Sequence, residues 1–252
     1  MMRAILTLGR IIVILVAGFF LSVVALASVV TEKDGRGYFW AGSTWSKIAL
    51  RVCGIDVRVR GREHLRPDGA YIFVTNHASM FDIPAIMSTL PRVRIMFKKE
   101  LSYVPVWGWA LRWGHHIMVD RGKGTEAIKS LERAAESIKS GGSVILFAEG
   151  TRTRDGKLLP FKRGAFALAA KSGVPIVPIS INGSFKILPK SSLDIRPSPI
   201  ELVMEAPIET KGISSREAEI EMMNKVRGII ERNYREDLDP VATQEKRETI
   251  HV

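Results

Sequence analysis

His77 and Asp82 stand five residues apart, just past the apolar run Tyr71–Val74, and their types could do chemistry together. On a continuous helix that separation sets two side chains about 140° apart, so the pair can meet only where a loop turns into a helix. A strand end supplies such a turn. A carboxylate on one imidazole nitrogen fixes the tautomer and leaves the other nitrogen free to take a proton from a hydroxyl. This is a catalytic triad without its serine. The nucleophile would then be a hydroxyl of the substrate, attacking a carbonyl as its proton leaves. Taken alone, the spacing is a weak signal and fits a structural pair better.

A second group, Glu149-Gly150-Thr151-Arg152, directly follows the apolar run Val144–Phe147. Loops at the carboxyl ends of strands are the usual ligand positions in α/β sheets. The guanidinium of Arg152 is a planar fork suited to phosphate, and Gly150 allows close backbone approach. Arg154, Lys157, Lys162 and Arg163 make the same stretch strongly positive, which a solvated basic loop would also explain. Lys98-Lys99 and Asp120-Arg121 repeat the pattern of charge at a strand's end.

These residues need a sheet to bring them together. Short apolar runs predict strands at Val57–Val59, Tyr71–Val74, Val93–Phe97, Ile117–Val119, Val144–Ala148, Ile176–Ile181 and Leu202–Met204, with helices between them. Thr125–Lys139 places Ile128, Leu131, Ala135 and Ile138 on one helical face, ended by Gly141-Gly142. Ser214 with Glu217 reads as a capping box for a last helix carrying Ile220, Met223, Val226 and Ile230.

Ahead of this α/β domain, residues 11–30 form a run of twenty with no charge, enough for a helix of about 30 Å. Arg3 and Arg10 precede it. A second segment, 38–53, carries Trp40, Trp45, Lys47 and Arg51, residue types that favour a membrane interface. The expected organisation is an anchor over 1–53, a catalytic domain over 54–235 and a charged, flexible tail over 236–252. A cleaved signal peptide is the competing interpretation, because Ala25-Leu26-Ala27 resembles a cleavage site; the apolar run continuing through Val30 favours retention. Lys33, Arg36, Lys47 and Arg51 outnumber Arg3 and Arg10, so the domain is expected on the cytoplasmic face of the inner membrane.

Composition agrees with an anionic partner. The 252 residues are 46% hydrophobic and carry a net charge of +11, with a pI near 9.9. No nucleic-acid module or zinc-finger spacing occurs, so nucleic acid is not expected. Cys53 is the single cysteine and no intrachain disulfide can form.

The blocks NHASMFD, KKEL, VPVWGWALRWG, HHIMVDR, FAEGTR, PFKRGAF and VPIVPISI stand in this order over roughly residues 57–208. Together they resemble the motif blocks of the glycerolipid acyltransferases, specifically the 1-acylglycerol-3-phosphate acyltransferases. The resemblance implies a single α/β domain with a central mixed sheet flanked by helices, and transfer of a fatty acyl group onto the free hydroxyl of lysophosphatidic acid to give phosphatidic acid. The donor would be acyl-CoA or acyl carrier protein, a thioester co-substrate with no further cofactor. His77 is implied as the general base, with Asp82 orienting it within the motif that opens at Asn76. Glu149, Gly150, Thr151 and Arg152 are implied to position the acceptor, with Arg152, Lys98 and Arg121 on its phosphate and Pro178 shaping the acyl side. His64, His115 and His116 are expected to be non-catalytic, and no metal is expected.

The nearest rival is an acyltransferase for glycerol 3-phosphate or another lyso-lipid. A thioesterase or lipase would need its own nucleophile, and no GxSxG elbow occurs. A non-enzymatic lipid-binding protein would have no use for His77 and Asp82 together.

Overall fold

A computed structural model describes residues 2–32, 34–90, 92–119, 141–190 and 194–238, and within 120–140 positions 130, 133–136 and 138. Six α-helices have both ends among them: α1 (Met2–Thr31), α2 (Arg36–Val52), α3 (Asp82–Thr89), α4 (Trp107–Trp113), α5 (Gly164–Ser172) and α6 (Arg216–Asn233); positions 130, 133–136 and 138 are also helical. The seven strands are β1 (Val57–Arg60), β2 (Ile72–Thr75), β3 (Val93–Lys98), β4 (Ile117–Val119), β5 (Ser143–Phe147), β6 (Ile176–Asn182) and β7 (Ile200–Met204). Each falls on an apolar run the sequence marks, with ends shifted by at most two residues.

The strands form one sheet in the order β1-β7-β6-β2-β5-β3-β4. Every neighbouring pair is parallel except β6 with β7, which makes the sheet mixed as expected. β2 and β6 at its centre are buried throughout, so they read as continuous apolar runs, whereas β3 alternates buried and half-buried positions. Strand pleating sends Phe73, Ile145, Val177 and Ile179 to one core, against Leu50 of α2 and Ile86 of α3. Ile72, Val74, Val144 and Ile176 face the other, against Phe166 and Leu168 of α5 and Val226 and Ile230 of α6.

Two helix ends differ from expectation. The N-cap of α6 is Ser215, whose Oγ accepts from the Ala218 N–H at 3.1 Å, in place of Ser214 with Glu217. Ala218 stands where a capping box needs Glu or Gln, so only half the box forms. Val226 and Ile230 of this helix are fully buried, but Ile220 is exposed, because α6 meets the sheet only from Met222 onward. Of the expected 125–139 helix, Ala135 and Ile138 are buried and Gly141 takes a left-handed φ of 86° at its end; Ile128 and Leu131 lie outside the described residues.

α1 extends well beyond the uncharged run, and Arg10 within it donates to the Ile195 carbonyl at 3.3 Å. Ile11 and Ile14 pack on the first core, and Trp45 of α2 donates its indole N–H to the Ile14 carbonyl at 3.2 Å. The Ile5–Thr31 stretch is long and apolar enough to cross a membrane, and only 22% of its most apolar window is buried against the protein.

Candidate active site

The parallel strands β2, β5 and β3 lie side by side and end on one edge of the sheet, which sets His77, Glu149 and Lys98 along that edge. After Thr75 the chain leaves the ladder for an irregular turn, and α3 begins at Asp82. The turn folds back on the carboxylate. Asp82 Oδ2 accepts from His77 Nδ1 at 2.7 Å, from the Ala78 N–H at 2.8 Å and from the Ser79 N–H at 2.9 Å. Asp82 is fully buried in the first turn of α3, where the helix dipole also favours its charge. An ionised carboxylate accepts only, so His77 Nδ1 carries the proton and Nε2 is left with its lone pair. The imidazole stacks on the Phe147 ring, with centroids 3.9 Å apart and planes 23° apart, and its side chain is only 14% exposed. Carboxylate and aromatic face together leave the ring one orientation.

Backbone contacts tie the Glu149 loop to the same turn. Glu149 Oε1 accepts from the His77 N–H at 2.8 Å and Oε2 from the Leu159 N–H at 2.9 Å, and the Thr153 N–H donates to the His77 carbonyl at 3.0 Å. Burial pushes the Glu149 carboxyl up to about 7, against the pull of the two N–H donors. Gly150 turns at a φ of 69°, and a Cβ there would come within 3.0 Å of the Lys162 side chain.

The residues expected on the acceptor divide accordingly. Arg152 is half-buried and has no hydrogen-bond or ion-pair partner among the described residues, so its fork is available. Thr151 is exposed and accepts from Lys190 Nζ at 3.2 Å, a cation the sequence did not single out. Lys98 lies at the end of β3, two strands and so about 10 Å from the end of β2, and pairs with Glu100 at 3.0 Å. Arg121 lies outside the described residues.

Asn76 and Glu149 do other work. The Asn76 amide donates to the Ile181 carbonyl at 2.9 Å and accepts from the Ile181 N–H at 2.8 Å, extending the β2–β6 pairing with a side chain. It is 1% exposed and Glu149 is 2% exposed, and both carboxamide and carboxylate are committed to backbone. They hold the site in place and leave no polar atom for a substrate.

His115 and His116 pack with Tyr38 and Phe39 of α2. Burial pushes His116 down to about 3, and its Nδ1 accepts from the Ile95 N–H at 3.3 Å. His64 Nδ1 meets the Met204 carbonyl at 3.2 Å. Among the described residues no group of three or more His, Cys, Asp or Glu gathers to hold a metal.

An apolar cavity of about 180 Å³ adjoins the His77 turn. Met80, Ile83 and Pro84 from that turn and α3 form one wall; Leu21 of α1, Trp45 of α2 and Trp107 of α4 are among the others. Its walls suit a hydrocarbon chain. The sequence placed the acyl side on the VPIVP block, but Pro178 is buried inside β6, paired with Val74, and no residue of that block lines the cavity. The cavity is built from six separate segments, so only the apolar residues inside the motifs, Met80-Phe81 and VPVWGW, hinted at it.

Residues 56–182 match the Acyltransferase family. The chain is 37% identical over 165 residues to a 1-acyl-sn-glycerol-3-phosphate acyltransferase of Limnanthes douglasii, covering 65% of this chain and 58% of that protein. It is 31% identical over 202 residues to the 1-acyl-sn-glycerol-3-phosphate acyltransferase of Saccharomyces cerevisiae, covering 78% and 66%. The crystal structure of the 1-acyl-sn-glycerophosphate (LPA) acyltransferase PlsC from Thermotoga maritima superposes with a TM-score of 0.80 at 30% identity, over 92% of this chain and 94% of that one. The chain spans only 44–58% of the length of the first plant relatives it matches.

The raised Glu149 carboxyl has a measurable consequence. Its pKa in the folded state lies above its unfolded value, so the stability it contributes is complete below pH 4.5 and is lost as pH rises through about 7. Urea unfolding of wild type and Glu149→Gln across pH 5–8 is expected to show a fall in stability with pH that is shallower in the variant. Parallel pH profiles would mean that Glu149 is ionised throughout.

Proposed function

This chain belongs to the Acyltransferase family, and on that premise we propose that it transfers a fatty acyl group from a thioester to the free hydroxyl of a 1-acylglycerol 3-phosphate. The 2.7 Å contact between His77 Nδ1 and Asp82 Oδ2 carries the proposal, because it leaves Nε2 as the base. In the step itself Nε2 takes the hydroxyl proton as the oxygen attacks the thioester carbonyl. The C–O bond forms, the C–S bond breaks, and the imidazolium returns its proton to the departing thiolate. Asp82 balances the imidazolium while it lasts. The thioester, on coenzyme A or acyl carrier protein, is a co-substrate and no cofactor is required. Arg152 and Lys98 hold the acceptor's phosphate, Lys190 adds positive charge beside Thr151, and the apolar cavity takes an acyl chain next to the reacting atoms.

We further propose that α1 lies within the cytoplasmic leaflet of the inner membrane and does not cross it. Its contacts with the protein run from Arg10 through Ile14 and Ala25 to Ser28, about 27 Å of helix at 1.5 Å per residue. A crossing helix would drag α2, with Lys47 and Arg51 exposed, into hydrocarbon. Single cysteines at Leu6 and Val30 should both react with an impermeant thiol reagent from the cytoplasmic face only. Labelling of one of them from the opposite face would show a spanning helix.

A positioned general base is worth on the order of 10² to 10⁴ in rate, so His77→Ala should nearly abolish transfer while the fold persists. Asp82→Asn should also lower turnover severely, and the double variant should be little worse than either single one. Direct attack leaves no acyl-enzyme: labelled acyl donor without acceptor should leave the denatured protein unlabelled. A stoichiometric, transfer-competent label would overturn the mechanism.

Arg152→Ala should weaken acceptor binding or turnover roughly ten- to hundredfold, the worth of a charge-assisted contact. Arg152→Lys keeps the charge but loses the fork, and should recover only part of that loss. Unchanged acceptor kinetics in Arg152→Ala would place the phosphate elsewhere.

A further inference from the structure

The chain between β3 and β4 carries exposed apolar side chains beyond those that line the cavity. Among the described residues eight large hydrophobic side chains outside α1 are exposed, and five of them fall within Leu101–Trp113. Tyr103 is 64% exposed, Trp113 58%, and Trp109 and Val104 43% each. The backbone there is also strained. Val106 has a φ of 63° and a ψ of −62°, and the Trp107 N–H donates to the Pro105 carbonyl at 2.7 Å. This is a γ-turn with positive φ at a β-branched residue, a rare and strained conformation. Gly108 locks it: a Cβ there would sit 2.4 Å from the Leu101 carbonyl oxygen. A strained turn that holds apolar side chains out in water gains nothing from folding alone. It makes sense if those side chains are not in water when the protein works.

Three observations point to lipid as the occupant. The patch is continuous with α1, because α4 packs against α1 and the cavity wall passes from one to the other. Its composition is interfacial: two tryptophans and a tyrosine, with exposed Arg112 and Lys98 beside them. The protein carries a net charge of +11, so a second copy would bring like charge against these cations, whereas anionic headgroups complement them.

We propose that residues 101–113 form a second contact with the bilayer, which with α1 fixes the roll of the domain so that the apolar cavity opens on lipid. This rests on α1 being membrane-bound. A single helix lying in a leaflet leaves the domain free to rotate about the helix axis, and a second contact line removes that freedom. Leu101 and Trp107 border both the patch and the cavity, so a chain leaving the bilayer would enter without crossing water.

The test uses the full chain reconstituted with vesicles of phosphatidylcholine and phosphatidylglycerol bearing brominated acyl chains. Flotation reports attachment through α1, and tryptophan quenching reports the patch. Brominated lipid is expected to quench wild type, and W109F/W113F should lose at least half of that quenching. Tyr103→Glu should float normally, transfer to a vesicle-embedded acceptor roughly tenfold more slowly, and match wild type on a monodisperse short-chain acceptor. Protein that floats while Trp109 and Trp113 stay open to acrylamide and untouched by brominated lipid would overturn the proposal and leave the α1 assignment standing. Failure to float would overturn both. Cross-links between copies through Trp113→Cys, without lipid quenching, would assign the patch to a second copy.

Discussion

A carboxylate with no access to water needs hydrogen bonds in place of its hydration, and Asp82 gathers three N–H donors on Oδ2 while Oδ1 stays buried with no partner among the described residues. Two of them, Ala78 and Ser79, are backbone groups of the turn that carries His77, so the charge that orients the imidazole also shapes the loop presenting it. Each hydrogen bond to a charged group is worth about 1.5–3 kcal/mol. Removing the charge would therefore loosen the turn, the start of α3 and the ring together. The turn is held firmly because the contact that orients the imidazole and those that shape the loop fall on one atom.

The same economy governs the neighbouring loops. Asn76 pairs with the backbone of Ile181 and Glu149 with the backbone of His77 and Leu159, so β6 and the 149–159 loop are fastened to the end of β2 by side chains acting as strand backbone would. Parallel pairing of β2, β5 and β3 then brings their ends to one edge without further instruction. The antiparallel return of β7 beside β6 completes the sheet on the far side and takes no part in the site.

What the sequence disclosed follows from which contacts are local. Strands such as Ile72–Thr75 and Ile176–Asn182 were legible because burial on both faces demands an unbroken apolar run. His77 and Asp82 were legible because a strand end and a helix start lie within six residues. Asn76 and Glu149 looked like substrate contacts because polar residues beside a base ordinarily are, and nothing local shows that their partners, up to 105 residues away, have already taken them. The cap at Ser215 was missed by one position because two serines stand together and only backbone geometry chooses between them. The cavity was illegible for a stronger reason: α1, α2, α3, β3, α4 and the 99–103 turn must all pack before it exists.

That last dependence links the N-terminal helix to the chemistry. If α1 were only an anchor, its contacts with the domain could be few and its sequence uniformly apolar. Instead Gly18, Ser22 and Ala25 are small residues facing α2 and the cavity, while Leu15, Phe19, Phe20 and Val23 face outward. One stripe of the helix is thus shaped as a cavity wall and the remainder is an exposed apolar surface. A bulkier side chain on the small-residue stripe would leave the outer surface unchanged and yet intrude on the cavity; a Cβ at Gly18 would already lie 3.1 Å from the Trp45 indole. The exposed apolar surface and the volume of the cavity are therefore written on opposite faces of the same helix.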